Sequence, residues 1–437
     1  IRDRDEGEMI NIYILDKSEL NDTRILEIIE AHRRDGAKIQ RCFDYYLGNV
    51  SVNKGVTARG RPDNRANTNL AKYIVDTATG YFAGAAPKYK YSNITAERVL
   101  GRIFDENDEA GVNFEIAQNM AIAGAGYDLV YISEDKKIKI CALDPRKAFV
   151  IYSGSIDREP IAAVRYFTRD ARLMGEIYEA GRTRQFEMSG GKLKITGSVE
   201  TPFEAPNVTE YVNGRFRMGD FEAAMENIDL YNLALSGAAD DMQSIANAYL
   251  VLNGFEQPDE ETMEVLRTER VIAVPSDGGA SYITKNINDA AMQNHKATLK
   301  ADILQVCGVP DLTDECFSGI SSGVAIRYKL WGIDQLFSRK AAGMEKGLFN
   351  RMRLIRSAAK ALYNEDIGEP AHNVSVEYIK NMPQELSNQV DIVNKLRGIV
   401  SDKTLREMLE SVTGVSAAEE EERMEEGDEI KASKEPN

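Results

Sequence analysis

The chain contains 437 residues, with 54 Lys and Arg against 70 Asp and Glu, so its formal net charge is −16. This acidic balance argues against a protein that wraps nucleic acid by bulk charge, because phosphate binding requires a basic surface. Hydrophobic residues make up 43% of the chain, enough for packed cores and for several structural units. No uncharged run approaches the ~18 residues of a membrane helix, so no membrane partner is expected.

Helix and strand patterns divide the first 218 residues into a helical part and a β-rich part. Apolar spacing predicts helices over 16–34, 69–81, 95–106 and 113–123, with a polar loop at 48–69. Short β-rich runs between turn residues then predict antiparallel strands at 127–132, 137–143, 149–152, 161–168, 174–179, 184–189, 192–196 and 210–216. This order predicts an α+β fold, with the strands set against the preceding helices and the whole chain mainly α.

A long acidic helix is predicted over 220–248. It carries six acids and no Lys or Arg, which indicates either a solvated face or an acidic surface within an assembly. A compact αβ insert follows at 249–287, with strands at 249–255 and 281–284, and a helix over 288–306 returns from it. A helix, an insert and a returning helix are typical of a projection from a larger body.

The longest helix is predicted over 324–363, after a small Ser- and Gly-containing segment at 310–323. Its apolar residues recur at steps of three or four, and it carries nine basic residues against two acids. The basic charge indicates either a solvated face or pairing with acids of neighbouring subunits. Gly332, Gly343 and Gly347 are candidate kinks.

The C-terminal part is predicted to be a strand followed by a small helical cap. The strand covers 374–379, and the two cap helices cover 386–399 and 404–412. The acidic tail at 419–437 has low complexity, and we expect it to be disordered or solvated.

The cysteines and histidines indicate neither a metal nor a cofactor. Four cysteines, separated except for one nine-residue step, and three histidines give no clustered ligand set for zinc. We expect the cysteines (Cys42, Cys141, Cys307 and Cys316) to be free thiols. His295 lies within an amphipathic helix and is predicted to be a polar surface or interface residue.

Motifs for catalysis are also missing from the sequence. The patterns GxxxxGK[ST], GxSxG and HExxH do not occur, and Gly124-Ala-Gly126 lacks the third glycine of a dinucleotide fingerprint. No set of residues in the sequence therefore supports a catalytic site, and the chain is predicted not to be an enzyme.

Seven local sequences occur in an informative order, although each is weak alone. They are Asn69-Leu-Ala-Lys-Tyr-Ile-Val-Asp-Thr-Ala-Thr-Gly-Tyr-Phe-Ala-Gly84, Gly124-Ala-Gly-Tyr-Asp-Leu-Val-Tyr-Ile132, Leu143-Asp-Pro145, Cys307-Gly-Val-Pro-Asp311, Ser321-Ser-Gly-Val-Ala-Ile-Arg-Tyr-Lys-Leu330, Asn381-Met-Pro383 and Ile399-Val-Ser-Asp-Lys-Thr404. Together with the order of elements, they make the chain resemble the portal proteins of tailed bacteriophages, specifically the SPP1-type portal family. The resemblance covers nearly the whole chain.

This resemblance implies a ring of about twelve subunits at one capsid vertex, through which double-stranded DNA passes during packaging and ejection. It implies the terminase large subunit and then a head–tail adaptor as partners, with the major capsid and scaffolding proteins around the ring. The location would be the virion, after assembly in the bacterial host cytoplasm. The parts would be a wing (1–218 with 324–383), a stem (220–248 and 288–306), a clip (249–287), a tunnel loop (310–323) and a crown with the acidic tail (384–437).

The resemblance also assigns site residues to two of these parts. In the tunnel loop, small residues would make soft, sequence-blind contact with DNA: Ser318, Gly319, Ile320, Ser321 and Ser322. In the clip, charged residues would dock the terminase and the adaptor: Glu260, Glu261, Glu264, Arg267 and Arg270.

Lys296 and Lys300 lie one turn apart on the second predicted stem helix. They could form basic rings that meet phosphates transiently, or they could pair with the acidic first stem helix of a neighbour, and both alternatives stay open. Trp331 is expected to pack between elements rather than touch DNA. Two other functions also stay open: a non-catalytic helical scaffold that binds only protein, and a nucleotide-using phage enzyme.

Overall fold

The computed structural model describes residues 12–52, 63–246, 249–253, 279–283, 289–312, 323–382, 393–413 and 415–432. The chain divides into two compact units, Ile1–Lys380 and Asn381–Asn437. Every described strand lies in the first unit. No described helix combines the length and the hydropathy that a membrane crossing requires.

The first unit opens with four helices close to the predicted positions, α1 (Asp22–Leu47), α2 (Leu70–Ala83), α3 (Ile94–Asp105) and α4 (Glu109–Ala123). The side chain of Asn21 caps α1 by accepting the N–H groups of Thr23 and Arg24, and Gly48 ends it at a φ of 75°. α1 is longer than the predicted helix at 16–34, because its buried apolar residues continue well past that point.

Two sheets form the central β region. The larger has six strands in the order β1 (Tyr13–Ile14), β5 (Ala148–Tyr152), β6 (Pro160–Arg169), β7 (Arg172–Glu179), β8 (Arg182–Ser189) and β9 (Lys192–Glu200). The smaller has three strands in the order β10 (Val208–Val212), β3 (Ala125–Ile132) and β4 (Ile138–Leu143). All of these neighbours pair antiparallel except β1 with β5. The predicted α+β class is confirmed.

Two helices and a strand pair follow the central sheets. A short 3-10 helix at Glu222–Ala224 leads into α5 (Met225–Ala246). The strands β11 (Tyr249–Asn253) and β12 (Gly279–Ile283) pair antiparallel, as predicted for both ends of the insert. The chain returns through α6 (Asp289–Cys307), which packs along α5. The part of the insert between β11 and β12 lies outside the described residues.

The predicted long helix consists of two pieces, α7 (Gly323–Lys329) and α8 (Trp331–Tyr363), separated at Leu330. α8 runs without interruption through Gly343 and Gly347. A Cβ on Gly343 would lie 2.0 Å from the carbonyl oxygen of Val212, and both glycines therefore let α8 pack closely on β10.

The chain then crosses a short helix, α9 (Pro370–Asn373), into β13 (Val374–Glu377). β13 pairs antiparallel with β2 (Lys88–Tyr91), which ties this late segment to the first helices of the unit.

The second unit contains α10 (Asp402–Thr413) and α11 (Ala417–Ala432). Arg406 on α10 donates a hydrogen bond to Glu421 on α11 at 2.9 Å. The acidic tail is thus helical over much of its length. Of the two expectations for this tail, solvent exposure is confirmed for most described side chains and disorder is not.

Buried apolar side chains hold the long helix and the base of the α5–α6 pair. In one cluster, Met344, Leu348 and Ile355 of α8 pack with residues of α3, α4 and the three-stranded sheet. In a second cluster, Ile228 of α5 and Ile303 of α6 pack with residues of α1 and α2. The described parts of α5 and α6 are therefore packed into the core of the first unit.

His32 of α1 is buried in an aromatic pocket against the six-stranded sheet. Its Nδ1 lies 2.7 Å from the Tyr166 hydroxyl, and the ring centroids of His32 and Phe149 are 4.8 Å apart. Burial lowers the pKa of His32 to about 4, and the carboxylate of Asp35 opposes this only in part. The folded state therefore favours the neutral imidazole of His32 over the protonated form.

Acid should destabilise the first unit through His32. The unfolded chain binds a proton at this residue near pH 6.5 and the folded chain near pH 4. Stability should therefore fall by about 3 kcal/mol across this window, and this group should not affect it above the window. Urea unfolding at about pH 7 and about pH 4.5 should show less acid sensitivity for His32→Phe than for the unsubstituted chain. The variant His295→Gln, on the exposed face of α6, is the control, and equal acid sensitivity in both variants would contradict the assignment.

Candidate functional site

The structure describes residues on both sides of the predicted tunnel loop and of the predicted clip. It does not describe the site residues assigned to either part. Residues 318–322 lie outside the described residues, as do Glu260, Glu261, Glu264, Arg267 and Arg270. The assignments for the loop and the clip therefore stay predictions. Lys296 and Lys300 are described, and both are half-buried on α6.

Lys300 contacts an acid of its own chain. Its Nζ lies 2.5 Å from Oδ2 of Asp311, just beyond the end of α6. This contact corresponds to neither of the two alternatives considered for Lys300, a DNA phosphate and an acid of a neighbouring subunit. Because the pair is partly exposed, it contributes about 0–1 kcal/mol to stability, but it neutralises one positive charge beside the predicted tunnel loop.

The segments that flank the predicted tunnel loop contact each other, and the first end of the loop also contacts α2. Gly308 ends α6 at a φ of 67° and meets Gly332 near the start of α8, where a Cβ on Gly332 would lie 2.8 Å from the Gly308 oxygen. The Tyr73 hydroxyl of α2 donates to the Pro310 oxygen and accepts the Leu312 N–H, both at 2.9 Å. The glycine contact thus joins the chain on the two sides of the loop, and the phenol of Tyr73 holds the first residues of the loop.

Most acids of the predicted acidic helix contact their own chain. Asp229 accepts a hydrogen bond from Tyr45 at 2.7 Å, and Asp240 accepts the Asn64 N–H at 2.7 Å. Burial raises the pKa of Glu222 to about 7, against the opposing hydrogen bond from the Gly219 N–H. Only part of this charge therefore remains for an assembly surface.

Lys340 and Asp220 form a buried pair between α8 and the start of the acidic segment. The Lys340 Nζ lies 2.8 Å from Asp220 Oδ2 and donates to Asn213 Oδ1 at 3.1 Å. Arg339 donates to the other carboxylate oxygen of Asp220 at 3.2 Å. Burial lowers the pKa of Lys340, and the charge of Asp220 offsets this only in part.

Arg351 is fully buried at the centre of a second charged network. Its Nε donates to Asp128 Oδ2 at 2.5 Å, and its Nη1 donates to Glu109 at 3.0 Å and to Asn113 at 2.8 Å. The Tyr211 hydroxyl donates to the same Asp128 oxygen at 2.7 Å. Burial acts to lower the pKa of Arg351, but Tyr211, Asp128 and Glu109 together hold it above its ordinary value. The network joins α8 to α4 and to β3.

These contacts change the interpretation of the basic long helix. Besides the two buried cations, Arg353 pairs with Glu369 and Arg356 pairs with Asp366, both at 2.7 Å. Much of the helix's positive charge is therefore balanced by acids of the same chain. The sequence had indicated a solvated face or pairing with neighbouring subunits instead. The buried pairs were missed because each partner lies far away in the sequence.

Trp331 does not pack between elements of its own chain. Its side chain is exposed at the first residue of α8, as is that of Tyr328 near the end of α7. The expectation for Trp331 is therefore wrong for the single chain.

The described residues contain no group of three or more His, Cys, Asp or Glu residues placed to hold a metal ion. Cys42, Cys141 and Cys307 are free thiols. Burial raises the pKa of both Cys42 and Cys307 to about 12, so these two thiols are poor nucleophiles near neutral pH.

The sequence matches one protein family over nearly its whole length. The family described as phage portal protein, SPP1 Gp6-like, matches residues 25–435. The portal protein of Bacillus phage SPP1 is 21% identical over 411 residues, covering 82% of this chain and 81% of the relative. The portal protein of Clostridium phage phiCD119 is 24% identical over 425 residues, covering 89% and 92%.

Solved structures give more distant similarities. A chain from the virion of a native gene transfer agent particle has a TM-score of 0.45 at 14% identity, covering 78% of this chain and 88% of that one. A chain from the neck of an empty gene transfer agent particle has a TM-score of 0.47 at 14% identity, covering 79% and 90%. The assignment rests instead on the sequence match, which includes almost every element described above. The chain belongs to the SPP1 Gp6-like family of phage portal proteins.

Proposed function

We propose that this chain forms a ring of about twelve copies at one capsid vertex, and that double-stranded DNA passes through the ring during packaging and ejection. The family match over residues 25–435 is the observation that carries the proposal. The match includes α5, the insert, α6, the segment before α7 and the long helix, so the proposal needs no added domain.

The parts of the ring follow from the order of these elements. α5 and α6 would form the stem, and 249–287 the clip that docks the terminase large subunit and later the head–tail adaptor. The strand pair β11–β12 supports a compact clip, because it closes the insert at its base. Residues 1–218 and 324–383 would form the wing beside the major capsid and scaffolding proteins, and 384–437 the crown.

The proposed tunnel loop, 310–323, would contact the moving DNA. Tight binding there would oppose translocation, because every phosphate contact must break as the duplex advances. Residues 318–323 carry no charged side chain, and Asp311 within the loop neutralises Lys300 of α6. The frame formed by Tyr73 and the glycine contact would hold the loop ends in place while DNA passes.

Two measurements on the full chain test this function. Native mass spectrometry of the purified protein should give a closed ring, and electron microscopy of particles should place that ring at one vertex with DNA on its axis. A protein that stays monomeric under assembly conditions, with no ring in the particle, would rule the proposal out. A closed assembly without a channel would instead favour the helical scaffold.

A loop variant tests DNA passage separately from assembly. Ser321→Lys with Ser322→Lys should leave the ring intact and lower packaged DNA by about tenfold, because the added cations hold phosphates. The matched control, Ser153→Lys with Ser155→Lys, adds the same charge at the β5–β6 turn and should package normally. Unchanged packaging by the loop variant would remove the loop from the DNA path. ATPase or nuclease turnover by the isolated chain would favour the enzyme alternative.

A further inference from the structure

Four large apolar side chains are exposed around the place where α6 ends and α8 begins. Tyr328 and Trp331 are 79% and 63% exposed, and Val306 and Leu312 are also exposed. The contact between Gly308 and Gly332 brings the chain segments that carry them together. We name these four residues the aromatic corner. Arg327, which is exposed beside Tyr328, gives its edge a positive charge.

Such a surface is typical of a protein interface. Contiguous exposed apolar side chains mark contact sites, and Trp, Tyr and Arg are the residues that most often dominate binding energy there. Duplex DNA is a poorer occupant, because its bases are stacked within the helix and an indole gains little from phosphates. The aromatic corner therefore fits an apolar surface with acidic groups at its edge.

The outer face of α5 has this complementary chemistry. Leu230 and Leu233 are exposed there. Glu226 and Asp229 are exposed on the same side, because positions 226, 229, 230 and 233 fall within two turns of one helix face. We name these four residues the acidic strip. The strip and the aromatic corner belong to different elements, and both are exposed in the single chain.

We infer that the aromatic corner of one subunit packs on the acidic strip of the next copy of this chain. Two different surfaces that join head to tail produce a ring when the rotation closes, as the proposed function requires. Trp331 and Tyr328 would bury against Leu230 and Leu233, with Arg327 beside the acids of the strip. The inference rests on the proposed ring and adds which surfaces form its contact.

Trp331 provides a direct measurement, since it is the only tryptophan in the chain. On assembly of the purified full chain, its fluorescence should shift to shorter wavelength and its quenching by acrylamide should fall by about threefold or more. Native mass spectrometry of the same samples reports the ring. Adding duplex DNA to the formed ring should leave Trp331 quenching unchanged.

Charge reversal tests the pairing of the two surfaces. Arg327→Glu and Glu226→Lys should each raise the concentration needed for assembly by about tenfold. The double variant should recover most of that loss, because every interface then carries the reversed pair. Ile156→Ala removes an exposed apolar side chain at the β5–β6 turn and is the control that should assemble normally.

The outcomes separate this inference from the proposed function. A ring in which Trp331 stays as quenchable as in the monomer overturns the inference and leaves the portal function intact. Protection of Trp331 only after DNA is added also overturns it and assigns the corner to DNA. Full assembly of both single reversals contradicts the pairing, and failure of the unsubstituted chain to form any ring rejects the inference together with the proposed function.

Discussion

Arg351→Met should lower the free energy of unfolding of the first unit by about 3–5 kcal/mol. The arginine supplies the positive charge for two buried carboxylates, those of Asp128 and Glu109. Removing it leaves both buried acids without their cation, and the cost of that desolvation exceeds what the apolar methionine gains. Urea denaturation followed by circular dichroism measures the change.

A matched variant on the same helix separates burial from charge. Arg353 lies two positions further on and pairs with Glu369, but its side chain is half-exposed. Arg353→Met should therefore cost only about 0–1 kcal/mol. Combining Arg351→Met with Asp128→Asn should recover part of the loss, because one uncompensated charge then disappears. Equal losses for Arg351→Met and Arg353→Met would show that the buried network is not a major source of stability.

Gly343→Ala should destabilise the protein by about 1–3 kcal/mol, although alanine favours helix formation over glycine by about 1 kcal/mol. The new Cβ would lie 2.0 Å from the Val212 carbonyl oxygen, which belongs to the backbone of β10 and cannot rotate away. α8 would have to move off the sheet, and the packing around Met344 and Leu348 would loosen. The steric cost therefore exceeds the gain in helix propensity.

The opposite sign is expected at Gly101, within α3. A Cβ there meets nothing within 4 Å, so Gly101→Ala should stabilise by about 0.5–1 kcal/mol. Thermal unfolding of both variants against the unsubstituted chain measures the two signs. Stabilisation by Gly343→Ala would mean that α8 is not held against β10 in solution.

Local patterns predicted the elements well because their causes are local. Alternation and turn residues located most strands, although β1 and β2 were not predicted. The apolar period located α2, α3, α5 and the end of α8 to within a few residues. The end of α1 was missed because polar residues beyond 34 interrupt the pattern, while Ile39, Cys42 and Tyr45 continue the buried face. For the acidic tail, composition predicted exposure correctly, but a solvated helix has the same composition as a disordered segment.

The charged networks could be predicted only in part. Lys340 and Arg351 fall on the apolar period of α8, between Ile333 and Ile355, and that position signals a buried cation in need of a partner. The identity of the partner depends on the tertiary fold and cannot be predicted from local sequence, since Asp128 lies 223 positions from Arg351. Trp331 was expected to pack between elements, but its place at the first residue of α8 leaves it exposed in the single chain.

The contact between Gly308 and Gly332 has a consequence for how this family can change. Both ends of the segment from 309 to 331 meet at one backbone contact, so the body of the subunit does not depend on the length of the segment between them. Doubling such a segment costs only about 0.6 kcal/mol of closure entropy. Insertions, deletions and exchanges between Leu312 and Gly323 should therefore be tolerated by folding, and under the proposed function only DNA passage and ring assembly would limit them.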